Sequence, residues 1–547
     1  MKSRISLMVE SSALSLFIFF TSLYYLTNAG DFKIGDETAM ILVARKIVDE
    51  GRIGFDEDKI ISSSRWEDAA SRGPDGQYYM KWGLGQSLVE TPFLILHRFL
   101  MRTLRSEKPE ADQASFYLSE FAFLILCPSA ISALGCVLFF LIGTRLGFSH
   151  RISVILSLVY GLATMVWPYS KSFMSETTLN VAILGGVYGA IQYAQEGRRR
   201  WIAFSGACMG FGVLTKVTAL VIIPVVVVYI IVASLRTKKS LLDLFLGFAP
   251  GLMVFLALQG WFNLVRYGSA WELGYRGGID ALGFSTPMIA GLWGLLLSPG
   301  KSFFVYAPVT LLGLIGLRSF LMHRRKEALL GLGISVIFVL FHAQWWSWAG
   351  DWAWGPRFLL VITPYTLLSC GMVFERWGNL KRVCRYLVLV LVVFSIGIQF
   401  LGVAVHPFSY IDVRGRVLDQ LVPVDATVVT YWRFYSEGAM AHFSPLFSHI
   451  VGNWWLLKHM LFSYDLWSDP PWKLLGDFDL EPPLWVIGDR AIPFWWPVGL
   501  PMLDDKTEAW VYPLAVAAFL LLALGGIMVS RVLKRAKAQP WVMGIAG

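Results

Sequence analysis

Long apolar runs recur along the whole chain, and they constrain the fold more than any other feature. A membrane-spanning helix needs about 20 mostly apolar residues, and this 547-residue chain is 56% hydrophobic and only 16% charged. Within lipid, only helices and closed barrels satisfy their own backbone hydrogen bonds, and barrel strands alternate apolar with polar residues. Because the runs here are continuous, the sequence predicts an all-α polytopic membrane protein.

We expect about twelve transmembrane helices. They are predicted near residues 6–28, 115–143, 152–168, 174–194, 201–215, 217–234, 241–264, 305–321, 328–345, 357–374, 385–405 and 510–530. The first run is interpreted as a retained span, since it is long and lacks a small-residue cleavage site. The five cysteines lie in or beside apolar runs without metal-ligand spacing, so neither a disulfide framework nor a zinc site is predicted.

Lysine and arginine indicate which loops face the cytoplasm, because short cytoplasmic loops are enriched in them. With the N-terminus inside, every second loop carries such a cluster: Arg145 and Arg151; Arg198, Arg199 and Arg200; Arg236, Lys238 and Lys239; Arg324, Arg325 and Lys326; Lys381, Arg382 and Arg385; Arg531, Lys534, Arg535 and Lys537. We therefore assign the net charge of +9 to cytoplasmic loops and expect no nucleic-acid partner. The predicted location is the cytoplasmic membrane, with both termini cytoplasmic.

Two further apolar segments, 83–104 and 288–297, would reverse this alternation if they crossed the membrane. We expect them to be interfacial or re-entrant elements on the outer face. The predicted organisation is a transmembrane module at 1–405 with its first outer loop at 29–114, an extracytoplasmic aromatic-rich segment at 406–509, and a last helix with a basic tail at 510–547.

Charged residues gather at the outer ends of the predicted spans and are scarce at the span centres, which predicts a site at the outer membrane surface with access to lipid. The acids are Asp36, Glu37 and Glu176. The cations, which we expect to bind the phosphate of an anionic lipid headgroup, are Lys81, Lys171, Lys216, Lys301 and Arg357. Each also has a structural interpretation. Asp36 can be a helix N-cap with Glu37 in the first turn, Ser175 can cap a helix that carries Glu176, and the cations can anchor span ends at the headgroups.

The order of these features resembles the GT-C superfamily of integral-membrane glycosyltransferases. The motifs are Gly-Asp-Glu on the first outer helix, Tyr-Tyr-Met-Lys81, Ser-Glu176 and Leu-Thr-Lys216, over roughly residues 1–240. The similarity is closest to the branch of protein O-mannosyltransferases and lipid A aminoarabinose transferases. It implies that Asp36 is the general base with Glu37 as a weaker substitute, that Lys81 and Lys216 contact the donor phosphate, and that Glu176 orients the acceptor or a lysine.

The implied activity is transfer of a hexose or pentose from a polyprenyl-phosphate donor to a hydroxyl of a lipid, glycan or protein, by inverting displacement. The resemblance also raises a divalent cation near the first-loop acids, for which Asp36 and Glu176 could offer ligands. Two other classes stay open. A secondary transporter or lipid flippase would carry charged or broken helices near the midplane, and a membrane scaffold would carry no catalytic residues.

Overall fold

The computed structural model describes residues 2–28, 35–56, 70–104, 113–234, 240–275, 281–350, 353–405, 442–462 and 505–537, with short pieces at 410–411, 413–415, 417, 470–471, 473 and 494–496. Three predicted cytoplasmic cations, Arg236, Lys238 and Lys239, lie outside the described residues, as does most of the segment 406–509.

Helices make up most of the described chain. The first half contains α1 Lys2–Leu26, α2 Gly35–Glu50, α3 Leu84–Leu104, α4 Gln113–Leu124, α5 Leu126–Arg145, α6 His150–Leu162, α7 Val166–Tyr169, α8 Ser175–Glu196, α9 Arg199–Thr215, α10 Ile223–Ser234 and α11 Ser240–Asp243. The second half contains α12 Ala249–Tyr267, α13 Met288–Leu296, α14 Phe303–Tyr306, α15 Leu311–His323, α16 Arg325–Ala343, α17 Thr363–Leu368, α18 Cys370–Glu375, α19 Arg382–Ala404, α20 His449–Phe462 and α21 Asp505–Lys537.

Tighter or wider helical turns and one small sheet complete these elements. The 3-10 turns are Val217–Val221, Pro308–Thr310, Arg357–Ile362, Trp377–Asn379 and Pro445–Phe447, and a π-helical turn, Leu244–Phe248, leads into α12. Strand β1 (Ala70–Arg72) pairs antiparallel with β2 (Tyr78–Met80), with Ser71 opposite Tyr79. The sheet lies between α2 and α3 in sequence and ends just before Lys81.

Each of the twelve predicted spans coincides with a helical segment, which confirms the all-α polytopic class. In the described part of the chain, seven helices are long and apolar enough to cross a membrane: Leu7–Leu26, Ser119–Arg145, Leu241–Tyr267, Arg325–Ala343, Arg357–Glu375, Arg382–Ala404 and Val511–Arg535. The shorter apolar helices His150–Leu162, Val217–Ala233 and Pro308–His323, together with α8 and α9, correspond to the other five.

Small residues allow α9 to approach the helix that ends in α12 almost backbone to backbone. A Cβ on Gly206 would lie 2.1 Å from the carbonyl oxygen of Phe248, and one on Gly251 would lie 2.5 Å from that of Ala203. Glycine permits such contact between apolar helices, where close van der Waals packing drives association. The two helices run in the same direction, so the C-terminal ends of both lie at one end of the bundle.

The basic loops meet at the opposite end of the bundle. Arg145 Nη1 lies 3.3 Å from Glu196 Oε1, and the backbone N–H of Ser149 donates to Glu375 Oε1 at 2.6 Å. A Cβ on Gly147 would lie 2.5 Å from Arg324 Nη2. Four loops that the sequence assigns to one side are thus in contact with each other. We call this the basic-loop end of the bundle.

Segments from near the C-terminal end of the sequence pack against α1. Gly525 of α21 packs so tightly that a Cβ there would lie 2.8 Å from Phe19 Cα. The indole N–H groups of Trp495 and Trp496 donate to the carbonyl oxygens of Tyr25 and Leu26, at 2.8 and 3.0 Å. These parts of the aromatic-rich segment therefore rest on the end of α1, as a membrane-apposed segment would. The domain division at 405 and 509 stays a prediction.

Candidate functional site

A cavity of about 650 Å³ opens at the end of the bundle opposite the basic loops. It lies between the N-termini of α2 and α8 and the C-termini of α9, α12 and α16. Five of the residues singled out from the sequence line it, namely Asp36, Lys81, Glu176, Lys216 and Arg357. The bundle brings these five together from positions more than 300 residues apart in the chain, since Asp36 and Arg357 are 321 residues apart.

Two of the cavity carboxylates, Asp36 and Glu176, belong to the first turns of two helices. α2 begins at Gly35, which puts Asp36 and Glu37 in its first turn, and α8 begins at Ser175, with Glu176 in its first turn. Asp36 therefore lies just inside the helix and not at the N-cap position, and Ser175 is the first helical residue and not a cap, a one-residue difference that is common at helix ends. Helix N-termini favour negative charge, so both helices stabilise an ionised acid at the cavity.

Two cations pair with these carboxylates, and one of them lies between the two acids. Lys216 Nζ donates to Glu176 Oε1 at 2.6 Å. Arg357 lies between the acids, with Nε 3.6 Å from Glu176 Oε1 and Nη1 3.4 Å from Asp36 Oδ2. The side chain of Glu176 is only 3% exposed, whereas that of Asp36 is 30% exposed. Glu176 is thus the buried centre of an ion network, and Asp36 is its accessible member.

Lys216 owes its position to the break between two helices. Its backbone is extended (φ −154°, ψ 121°) after α9 ends at Thr215, and its N–H still bonds to Gly212 O at 2.8 Å. The side chain is consequently turned away from the helix axis, and Nζ lies 4.6 Å from the centre of the Phe358 ring. A purely structural lysine is costly at such a break, but an ion pair with a buried acid accounts for this one.

The turn that carries Lys81 is held by an arginine that the sequence analysis did not single out. Arg266, in the last turn of α12, is 1% exposed. Its Nη1 donates to three successive carbonyl oxygens at 2.9 to 3.2 Å, those of Met80, Lys81 and Trp82. Because one guanidinium satisfies three carbonyls, it fixes the backbone from which the Lys81 side chain extends. An arginine just beyond a predicted span end was the available signal.

A glycine in the same turn allows it to pack closely against the backbone next to Lys216. A Cβ on Gly83 would lie 2.4 Å from the carbonyl oxygen of Thr215, the residue that precedes Lys216. Any larger residue at position 83 would separate the two backbones. The positions of Lys81 and Lys216 relative to each other therefore depend on this close approach.

Three other predicted site residues point elsewhere. Glu37 is 1% exposed and accepts hydrogen bonds from the Ser172 hydroxyl and from the Phe173 N–H, the latter at 3.1 Å. Lys171 donates to Val403 O at 2.8 Å, and Lys301 donates to the carbonyl oxygen of Ala353. These side chains are buried against backbone and do not line the cavity described above.

His342 and a group of aromatic side chains form another wall of the cavity. The His342 ring stacks on Phe358 at 4.7 Å and 27°, and its Nδ1 donates to Phe338 O at 2.9 Å. Beside it, Phe284 packs edge-on against Phe341 and Trp345 at 5.0 and 5.4 Å. The cavity therefore has a charged side and an aromatic side.

A buried carboxyl lies behind α2, outside the predicted spans. Glu90 of α3 is fully buried, and its Oε1 accepts from Gln86 Nε2 at 2.7 Å. Burial raises the pKa of Glu90 well above its ordinary value, and the Glu37 carboxylate raises it further, while the Gln86 hydrogen bond opposes this shift. The surroundings of Glu90 therefore favour its neutral form over the carboxylate.

The described residues do not fit a metal site. Within the described ranges, no three His, Cys, Asp or Glu side chains come together in a way that could hold an ion. The two carboxylates that the sequence suggested, Asp36 and Glu176, instead meet Arg357 and Lys216. Each of these acids is therefore already within 3.4 Å of a side-chain cation.

The fold and the cavity define a polytopic helical membrane protein with a charged, aromatic-lined site at the ends of its helices. The sequence model of the family described as dolichyl-phosphate-mannose-protein mannosyltransferase matches residues 114–261. This match confirms the resemblance to GT-C glycosyltransferases over a stretch that contains Glu176 and Lys216. Asp36, Lys81 and Arg357 lie outside the matched stretch.

Two crystal structures of ArnT from Cupriavidus metallidurans also resemble this chain. The form bound to undecaprenyl phosphate has 14% sequence identity and a TM-score of 0.40, and the apo form has 15% and 0.44. Each comparison covers 97% of this chain and 78% of the other. These values are too low to relate individual residues of the two proteins. No curated protein sequence matches this chain significantly.

Proposed function

We propose that this protein transfers a sugar from a polyprenyl-phosphate-linked donor to a hydroxyl acceptor at the outer face of the cytoplasmic membrane. The observation that carries the proposal is the meeting of Asp36 with Lys81, Lys216 and Arg357 in one cavity with an aromatic side. The family match over residues 114–261 supports the same class of reaction.

The cations are suited to a phosphodiester donor. Lys81, Lys216 and Arg357 belong to three separate elements and are fixed by Arg266, Glu176 and the helix ends described above. Fixed cations in a partly dehydrated site stabilise the charge that develops on a leaving phosphate. The leaving group in this reaction is the polyprenyl phosphate, whose charge grows as its bond to the sugar breaks.

Of the two acids in the ion network, Asp36 is the better placed to act as base. It is ten times more exposed than Glu176, at 30% against 3%, and it lies at the cavity surface. In the proposed step the acceptor oxygen forms a bond to the anomeric carbon, the bond from that carbon to the phosphate oxygen breaks, and the hydroxyl proton moves to Asp36. A single displacement of this kind inverts the anomeric carbon and needs no covalent enzyme intermediate.

The aromatic side suits the apolar part of a lipid-linked donor. Trp271 is 89% exposed and Phe284 is 54% exposed, and both line the cavity. Exposed aromatic residues are typical of the membrane interface, where an apolar body meets the headgroup region. A polyprenyl chain can thus remain in contact with lipid while its phosphate reaches the cations.

The test is sugar transfer by purified protein in liposomes, with undecaprenyl-phosphate-linked mannose, glucose, galactose and aminoarabinose as candidate donors. Asp36→Asn removes the base with little change in shape, and we expect its turnover to fall about 10²- to 10⁴-fold. Asp49→Asn is the matched control. It lies on the same helix and pairs with Arg98 at 2.9 Å, but does not line the cavity.

Near wild-type turnover in Asp36→Asn would refute the base assignment. Movement of labelled lipid between leaflets without a glycosidic product would instead favour a flippase. We also place the basic-loop end in the cytoplasm, so a cysteine introduced at Gly378 should resist a membrane-impermeant thiol reagent in intact cells, and one at Gly76 should react. The reverse pattern would contradict the proposed orientation.

A further inference from the structure

The ring nitrogen Nε2 of His342 has no role in the mechanism above, although the residue lines the cavity. The other nitrogen, Nδ1, contacts the Phe338 carbonyl at 2.9 Å. A carbonyl can only accept, so Nδ1 carries the hydrogen. In the neutral ring Nε2 is then a hydrogen-bond acceptor, and it has no hydrogen-bond partner among the described residues.

The surroundings fix the orientation of this ring. His342 is 2% exposed and stacks on Phe358. The same Phe358 ring lies 4.6 Å from Lys216 Nζ and 5.1 Å from the guanidinium carbon of Arg357. With Nδ1 held by the backbone of its own helix, the ring cannot turn away without losing that bond.

We infer that His342 determines specificity for the transferred sugar, by accepting a hydrogen bond at Nε2 from one of its hydroxyl groups. The inference rests on the proposed function. The sugar is bonded directly to the phosphate, so its ring lies next to whatever cations hold that phosphate. Lys216 and Arg357 both approach the ring on which His342 stacks, so a phosphate held by these two cations brings its sugar close to His342.

A hydroxyl of the transferred sugar is a better hydrogen-bond partner for His342 Nε2 than the hydroxyl of the acceptor substrate or the polyprenyl chain. An acceptor hydroxyl has to lie within reach of Asp36, which approaches Arg357 Nη1 at 3.4 Å, whereas His342 stacks on the Phe358 ring. A polyprenyl chain offers no hydrogen-bond donor. A buried hydrogen-bond acceptor such as Nε2 costs binding free energy when it is left unpaired. A sugar with a hydroxyl next to Nε2 is therefore preferred over its deoxy analogue.

The experiment compares three proteins on two kinds of donor. His342→Phe keeps an aromatic ring on Phe358 and removes Nε2, while Phe338 O keeps its helical hydrogen bond. His342→Gln restores an amide oxygen near the position of Nε2. The donors are the best undecaprenyl-phosphate-linked sugar of the panel above and its monodeoxy analogues, and binding of undecaprenyl phosphate itself is measured in parallel.

For the wild type we expect one deoxy analogue to lose roughly tenfold in kcat/KM, the value of one hydrogen bond. His342→Phe should lose that discrimination and His342→Gln should regain part of it, while all three bind undecaprenyl phosphate alike. Equal discrimination by the wild type and His342→Phe overturns this inference and leaves the proposed function standing. If the wild type neither transfers sugar nor binds sugar-linked lipid more tightly than undecaprenyl phosphate, both fail.

Discussion

Replacing Glu176 by Gln should destabilise this protein more than any other conservative change at the cavity. Glu176 is 3% exposed and lies 2.6 Å from Lys216 Nζ, and Lys216 is 18% exposed. The substitution leaves a partly buried ammonium without its carboxylate. Removing one partner of a buried ion pair costs about 3 to 5 kcal/mol, whereas exposed pairs such as Asp49 with Arg98 are worth roughly 0.2 to 1 kcal/mol.

The assay is unfolding in mixed micelles titrated with SDS, followed by tryptophan fluorescence, with Asp49→Asn as the control. The double variant Glu176→Gln with Lys216→Met is the informative comparison, because it removes both charges and should cost less free energy of unfolding than Glu176→Gln alone. The ion network is refuted if the free energy of unfolding of Glu176→Gln lies within about 1 kcal/mol of the wild-type value. It is refuted equally if the double variant has a lower free energy of unfolding than Glu176→Gln.

Three further predictions address the surroundings of the cavity. Arg266→Gln should raise KM for the donor by releasing the turn of Lys81, and Arg266→Lys should restore part of the loss; an unchanged KM would contradict this in steady-state kinetics. Lys81→Met should weaken binding of undecaprenyl phosphate roughly tenfold, the value of about 1.4 kcal/mol for one charge-assisted contact, while Lys171→Met should not, as measured by direct binding. Because burial raises the pKa of Glu90, the unfolded chain loses that proton at lower pH than the folded protein. Wild-type stability should therefore fall relative to Glu90→Gln as the pH rises above about 4.3, the ordinary pKa of a glutamate, and a difference in unfolding temperature that does not change with pH would exclude the raised pKa.

The positions of the spans follow from local properties of the sequence. Hydropathy over about 20 residues and the alternation of basic loops do not depend on how helices pack, and all twelve predicted spans are helical. The same alternation placed Asp36, Glu176 and Arg357 at span ends on one side. They meet in the cavity because their helices begin and end there.

The directions of side chains could not be predicted in the same way. Lys171 and Lys301 stand at span ends like Lys216, yet they donate to carbonyl oxygens of residues 232 and 52 positions later in the chain. Arg266 and His342 escaped notice for the same reason. Arg266 is important because it contacts the turn at residues 80–82, and His342 because it stacks on Phe358. A local sequence pattern does not predict contacts between residues so far apart in the chain.

The contact between α1 and α21 has a consequence for how the protein is made. Gly525 can pack against Phe19 only after roughly 500 intervening residues have been synthesised, which takes on the order of 25 to 100 s at ordinary elongation rates. During that time the face of α1 that α21 later covers is exposed to lipid, to the insertion machinery or to a chaperone. A chain stopped before α21 should accordingly be a target for quality-control proteolysis, even though it already contains every residue that lines the cavity.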